Sequence, residues 1–116
     1  MKLILPFPPT ENTYRRFANR GRFAGPILSK RARAYKQSVK SCIGDVATIT
    51  GHVHVEIELH PPDRRRRDLD NYLKALFDAI TEAGVWEDDS QVRDMRVRWA
   101  DRVTGGKAVI EITEVN

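Results

Sequence analysis

The chain has a single cysteine, Cys42, and therefore no internal disulfide framework. That excludes the disulfide-stapled extracellular classes and fits a reducing compartment, with Cys42 expected as a small core residue and not a catalytic thiol. No apolar run approaches the roughly 20 residues a membrane-spanning helix needs. The opening Met1-Lys2-Leu3-Ile4-Leu5-Pro6 is too short for a secretory apolar segment and lacks a small-residue cleavage site, so a cytoplasmic location is expected. There is no Gly-rich phosphate cradle, no Gly-x-Ser-x-Gly nucleophile context, no repeat and no low-complexity stretch. With 116 residues there is room for one domain with a real core, and too little for two.

What is present is charge, unevenly spread. The net charge is +4, yet residues 1–40 hold ten Lys or Arg against one acid, Glu11, while residues 41–116 hold ten against fifteen. A basic front beside an acid-containing rear suits an enzyme that grips a polyanion at an acidic metal site. A merely solvated basic surface would give the same balance.

Hydrophobic periodicity sets the expected elements. Lys2 to Leu5 reads as a short strand stopped by Pro6-Phe7-Pro8-Pro9. Residues 10–28 read as a long polar connection containing Gly21 and Gly25-Pro26, able to order on a partner. A helix is expected from Ser29, its N-cap, to about Ile49, with Ala34, Val39 and Ile43 marking the apolar stripe. His52 to His60 alternates as a half-buried strand, with Val53, Val55, Ile57 and Leu59 on one face. Leu69 to Ala83 carries apolar residues at helical spacing and stops at Gly84. Trp86 to Ser90 reads as a loop, Gln91 to Ala100 as a strand with Met95, Val97 and Trp99 inward, and Lys107 to Thr113 as the last strand. The expected fold is α+β (mixed α/β), a single domain in the order β-loop-α-β-α-β-β, with helices packed on a mixed sheet.

The chemistry concentrates in Asp63-Arg64-Arg65-Arg66-Arg67-Asp68-Leu69-Asp70-Asn71. Four arginines between a strand end and a helix start offer forked donors matched to phosphate oxygens. They could equally pair with the neighbouring acids. Asp68 and Asp70, two apart, project to one side of an extended approach, and such a pair could ligate Mg²⁺, which takes oxygen donors. Lys74, four residues beyond Asp70, could steady developing charge on a phosphate. The competing assignment makes one aspartate a helix cap and Lys74 an ordinary surface partner. Asp88-Asp89 forms a second acidic pair, or simply a solvated turn. The helix between would hold it roughly 20 Å from Asp68, so either the chain folds back or a second subunit supplies this carboxylate. His52 and His54 share a strand face but lack a third ligand, which favours polar-face histidines.

The arginine–aspartate block, followed by Leu73-Lys74, Phe77-Asp78, Gly84 and Trp86-Glu87-Asp88-Asp89-Ser90-Gln91-Val92, closely resembles the RusA family of Holliday-junction resolvases. Pro8-Pro9-Thr10-Glu11-Asn12-Thr13-Tyr14 is similar to the family's opening, and Ile110 to Glu114 to its close; Glu11 departs, standing where an uncharged polar residue is expected. The resemblance implies one RusA-like domain over residues 1–116. It also implies a homodimeric endodeoxyribonuclease, dependent on Mg²⁺ with Mn²⁺ as a substitute, resolving four-way junctions by paired symmetric nicks in recombination, repair or phage DNA processing. Carried onto this chain, it makes Asp68, Asp70 and Asp89 the catalytic and metal-binding acids and Lys74 the essential lysine. Arg64, Arg65, Arg66 and Arg67 become DNA contacts, and Asn12, Tyr14, Arg15 and Arg16 of the basic front join them. No membrane and no further small-molecule cofactor is implied. A non-catalytic binder of branched DNA is the alternative, and a dimeric protein-interaction module with a basic face is a third; metal-dependent nicking and junction-specific binding separate them.

Overall fold

The computed structural model describes residues 1–10, 15–20 and 23–115, with backbone alone over 15–20 and 23–28. The main sheet is built from β1 (Lys2–Leu5), β4 (Val53–His60), β5 (Val92–Trp99) and β6 (Lys107–Glu114) in the order β1-β6-β4-β5. Strand β6 runs antiparallel to both its neighbours, β1 and β4, whereas β5 runs parallel to β4. A parallel neighbour needs a crossover, and helix α2 (Leu73–Glu82) provides it. Helix α1 (Lys30–Ile43) packs beside α2 on the same side.

The alternation of β4 is realised as expected. Val53, Val55, Ile57 and Leu59 are buried and join Tyr35 and Val39 of α1 and Leu76, Ala79 and Ile80 of α2 in one core. The opposite sheet face stays open and charged. There Arg98 donates to Glu58, and His54 Nδ1 lies 2.9 Å from Asp94 Oδ2.

Several expectations are corrected. The connection over 10–28 holds an antiparallel hairpin, β2 (Arg15–Arg20) with β3 (Phe23–Leu28). Its sequence lacks the apolar alternation that marks a half-buried strand, and Pro26 is tolerated because a two-stranded ribbon leaves each strand an unpaired edge. Asn12, Tyr14 and Glu11 lie outside the described residues; Arg15 and Arg16 open β2. Helix α1 ends at Ile43, six residues early. Gly44 caps it at φ +67° with its N–H donating to Lys40 O, and Ile49 instead bridges to Trp86. Its buried face is Ala32, Tyr35 and Val39, while Ala34 and Cys42 are exposed. Met95 is also exposed at 48%, because β5 is an edge strand that neither helix covers there.

Candidate active site

The arginine block leaves β4 at Pro61 and is folded around one carboxylate. Asp63 Oδ1 accepts from the Arg65 backbone N–H at 2.9 Å and from Arg67 Nη1 at 2.8 Å; Asp63 Oδ2 accepts from Arg65 Nε at 3.1 Å. The Arg67 bond, followed by those from Arg65, holds the Asp63 carboxyl well below the usual carboxylate range. Arg67 also donates to the Arg65 carbonyl at 3.2 Å, and its guanidinium sits 5.7 Å above the centroid of Phe7. Its side chain is 13% exposed, against 82% for Arg65. Arg67 is thus a strut of the loop, whereas Arg64 and Arg66 are exposed and unpaired among the described residues. The four arginines expected to act alike on phosphate are structurally unequal.

Beneath this loop three rings interlock: Phe7 and Tyr72 at 5.0 Å between centroids, Tyr72 and Trp99 edge-on at 5.7 Å, and Phe7 stacked on Trp99 at 6.4 Å. Gly106 closes the far side at φ +71°, where a Cβ would lie 2.8 Å from Phe7 Cβ. Tyr35 of α1 donates to the Pro6 carbonyl at 2.8 Å and so anchors the chain just before Phe7. The loop therefore stands on a packed platform.

Asp68 follows in extended conformation at the start of a 3₁₀ turn, Leu69–Tyr72, that leads into α2. It occupies the capping position without a side-chain capping bond, and among the described residues its Oδ2 accepts only from Asn71 Nδ2, at 3.4 Å. Asp70 makes no hydrogen bond or ion pair among the described residues. Both are exposed, and both line one shallow recess with Arg67, Leu69, Leu73 and Val97. The capping alternative for this pair is thereby removed, and two neighbouring hard-oxygen donors remain, which is the donor set Mg²⁺ takes. Lys74 reaches Asp78 Oδ1 at 3.3 Å, one turn along α2, rather than Asp70.

The second acidic pair divides in the same way. Asp88 caps a 3₁₀ turn, Asp89–Gln91: its Oδ2 accepts from Ser90 N at 3.0 Å, and the Ser90 hydroxyl, followed by this backbone bond, lowers its proton affinity. Gln91 completes a capping box and is buried with every polar position occupied. Its Oε1 accepts from Glu87 N at 2.8 Å and Asp88 N at 3.0 Å, and its Nε2 donates to Ile49 O at 2.9 Å and Gly51 O at 2.8 Å. Asp89 takes part in none of this and is held half-exposed. The signal for Gln91 was present in the spacing Asp88-x-x-Gln91, a capping-box pattern.

Asp89 does not join the first pair within the chain. Among the described residues no three His, Cys, Asp or Glu side chains stand close enough to share a metal ion. The reason is topological. Asp68 and Asp70 lie beside Val97, while Asp89 precedes Val92 at the other end of β5, on the order of 16 Å away at about 3.3 Å per residue.

Comparison with known proteins meets this geometry. The family model Endodeoxyribonuclease RusA matches residues 6–113. The crossover junction endodeoxyribonuclease RusA of Shigella sonnei (strain Ss046) is 45% identical over 116 residues, 97% of this chain and 93% of that protein. The same identity and coverage hold for the protein of that name from Escherichia coli (strain K12) and for that of Enterobacteria phage 82. The relatives are thus both bacterial and phage-encoded, and no helix among the described residues is long and apolar enough to cross a membrane. The chain belongs to the RusA family of endodeoxyribonucleases.

Proposed function

We propose that this protein is a Mg²⁺-dependent, homodimeric endodeoxyribonuclease that resolves four-way DNA junctions by paired symmetric nicks. The observation that carries the reading is the shared recess of Asp68 and Asp70, two exposed carboxylates that no capping bond engages. When bound there, Mg²⁺, or Mn²⁺ in its place, would supply an activated water and neutralise charge building on the phosphate. Asp68 and Asp70 would hold it from one subunit, with the third carboxylate, Asp89, provided by a second copy. Lys74 on the adjacent turn is within reach of the same phosphate once it leaves Asp78. The exposed Arg64 and Arg66 neutralise backbone phosphates beside the cut, with Arg65 and Arg67 fixing their loop. Arg15 and Arg16, which open β2, and Asn12 and Tyr14, just before them in sequence, would add further DNA contacts. A two-fold dimer presents two such sites to a junction with two strands to cut.

Two features support the dimer. The chain separates Asp89 from Asp68 and Asp70 along β5, and β5 is an edge strand, unpaired on its outer side among the described residues, with Met95 exposed near its middle. A two-fold operation on that side of the molecule exchanges the ends of β5 and brings opposite acids toward each other.

The test is cleavage of an end-labelled four-way junction beside a linear duplex, in Mg²⁺ and in EDTA. Paired nicks on the junction, lost in EDTA and in Asp70→Asn while that variant still shifts the junction in a gel, are expected. Junction binding without nicks under any divalent ion would replace the enzyme with a branched-DNA binder.

A further inference from the structure

Lys74 stands between two acids that are each four residues away, Asp70 before it and Asp78 after it. A helix favours the first pairing, because an acid N-terminal to a lysine at that spacing is the better orientation. The structure shows the second. Lys74 Nζ lies 3.3 Å from Asp78 Oδ1, and Asp70 makes no ion pair among the described residues.

Two features produce this choice. Asp70 belongs to the 3₁₀ turn Leu69–Tyr72, whereas Lys74 belongs to α2. A 3₁₀ turn holds about 3.0 residues where an α-helix holds about 3.6, so Asp70 is rotated out of the row that four-residue spacing normally aligns. Asp78, by contrast, is set on the side of α2 that meets α1. Ala75, three residues before it, is buried with Ala32 of α1, and Glu82, four residues after it, pairs with Lys36 of α1 at 3.1 Å. The Asp78 side chain is 21% exposed against 44% for Lys74, so the carboxylate is the fixed partner and the ammonium the movable one. Asp70 opens instead into the recess it shares with Leu73 and Val97 of β5.

We propose that Asp78 is a positioning residue. It holds the Lys74 ammonium on the α1 side of α2 and off Asp68 and Asp70, which keeps that pair of carboxylates open to a divalent ion until a DNA phosphate draws the lysine across. An ammonium resting on Asp70 would occupy the oxygens that Mg²⁺ takes, and the ion would have to displace it. An exposed pair at this spacing is weak, so Asp78 restrains Lys74 without trapping it. The inference rests on the resolvase reading above, with Asp70 as a metal-holding acid and Lys74 as the lysine of that site.

The experiment measures Mn²⁺ binding to the DNA-free protein at low salt, from the electron paramagnetic resonance signal of unbound Mn²⁺. Asp78→Asn is expected to weaken binding about three-fold, the effect of one positive charge about 6 Å away in a water-like dielectric. Asp78→Glu, which restores the carboxylate, is expected to bind as wild type does. The decisive comparison is Lys74→Gln against Lys74→Gln with Asp78→Asn. These two are expected to bind Mn²⁺ nearly equally, because the loss in Asp78→Asn acts through the ammonium. A loss that persists in the double variant belongs to the charge of Asp78 itself or to the seam between α1 and α2, and overturns the proposal. Unchanged or tighter binding in Asp78→Asn also overturns it, as does wild-type protein that binds no Mn²⁺ yet nicks junctions. Nicking of the four-way junction by the wild type in Mg²⁺ is followed in parallel and reports on the resolvase reading; its absence fails that reading and this proposal together.

Discussion

Arg67 Nη1 lies 2.8 Å from Asp63 Oδ1, and this contact turns a run of four like charges into an ordered loop. Self-repulsion along Arg64–Arg67 would otherwise favour a splayed, mobile segment. The expected consequence is that Asp63→Asn, which keeps the shape and removes the charge, loosens the loop and misplaces Asp68. Cleavage should fall roughly ten-fold, since an ångström of misplacement is enough to cost more than that. Overall melting should barely move, because the carboxylate lies at the surface. A variant with wild-type cleavage would show that the loop is held by Phe7 and Tyr72 alone. The pH behaviour follows from the sign of the shift. Asp63's folded-state proton affinity is depressed, so its contribution is complete above the ordinary carboxylate value, about pH 4, and disappears only as pH falls through its much lower folded value. The activity profile between pH 5 and 9 should therefore be the same shape in wild type and Asp63→Asn.

Gln91 makes the corresponding argument for the second acid. Replacing it with Leu keeps the bulk but leaves Ile49 O, Gly51 O, Glu87 N and Asp88 N without their partner. Each buried group left unpaired costs roughly 1–3 kcal/mol, though relaxation and entering water will hold the total near 3 kcal/mol. The turn that carries Asp89 should shift with it. Cleavage measured well below the lowered melting temperature should fall at least ten-fold in Gln91→Leu, while junction binding stays near wild type. Equal losses of binding and cleavage would mean general unfolding instead.

Much of this architecture is legible in the residues themselves. The strict alternation from Val53 to Leu59 and the helical spacing from Leu69 to Ile80 each have one buried face, so pattern and packing agree. What escaped the pattern escaped for physical reasons. Strands β2 and β3 pair through backbone groups, which leave no trace in side-chain periodicity. The end of α1 is decided by Gly44 at φ +67°, and a single glycine looks tolerable to a periodic reading. At the site, the sequence identified the acids but could not divide them into capping and free members. Asp88 caps and Asp89 does not; Asp68 stands in a capping position and makes no cap. Those differences depend on where amides point, which only the folded chain fixes.

Glycine also supplies a paired prediction. Gly106 and Gly44 both hold positive φ, but a Cβ on Gly106 meets Phe7 at 2.8 Å and Pro62 at 3.1 Å, whereas one on Gly44 meets nothing within 4 Å. Gly44→Ala should therefore cost only the conformational penalty, roughly 1–3 kcal/mol at φ +67° and ψ −148°. Gly106→Ala should add roughly 1–3 kcal/mol to such a penalty, because backbone strain is joined by displacement of the ring platform. Thermal melting reads the difference as a drop several degrees larger for Gly106→Ala. Cleavage by the surviving folded fraction should also fall, since Phe7 supports Arg67. Equal melting temperatures would mean that Phe7 moves aside freely, and the platform would then be no platform.

The separation of Asp89 from Asp68 and Asp70 gives the sharpest prediction, because it distinguishes a site completed within one chain from one completed between two. Asp70→Asn and Asp89→Asn should each be inactive alone. If the acids meet across the dimer, mixing the two variants under conditions of subunit exchange creates a heterodimer in which one site carries both substitutions and the other carries neither. That intact site should nick. If the acids met within one chain, each subunit of the mixture would still lack one, and no nicking would return. Random exchange makes about half the molecules heterodimers, each with one of two sites alive, so about a quarter of wild-type nicking capacity is expected. The products should be single nicks on one strand, without the paired cut that resolves a junction. Mixed subunits that exchange demonstrably yet remain inert would require the chain to bring Asp89 to Asp70 by a rearrangement of residues 85–91, the segment Gln91 now holds in place.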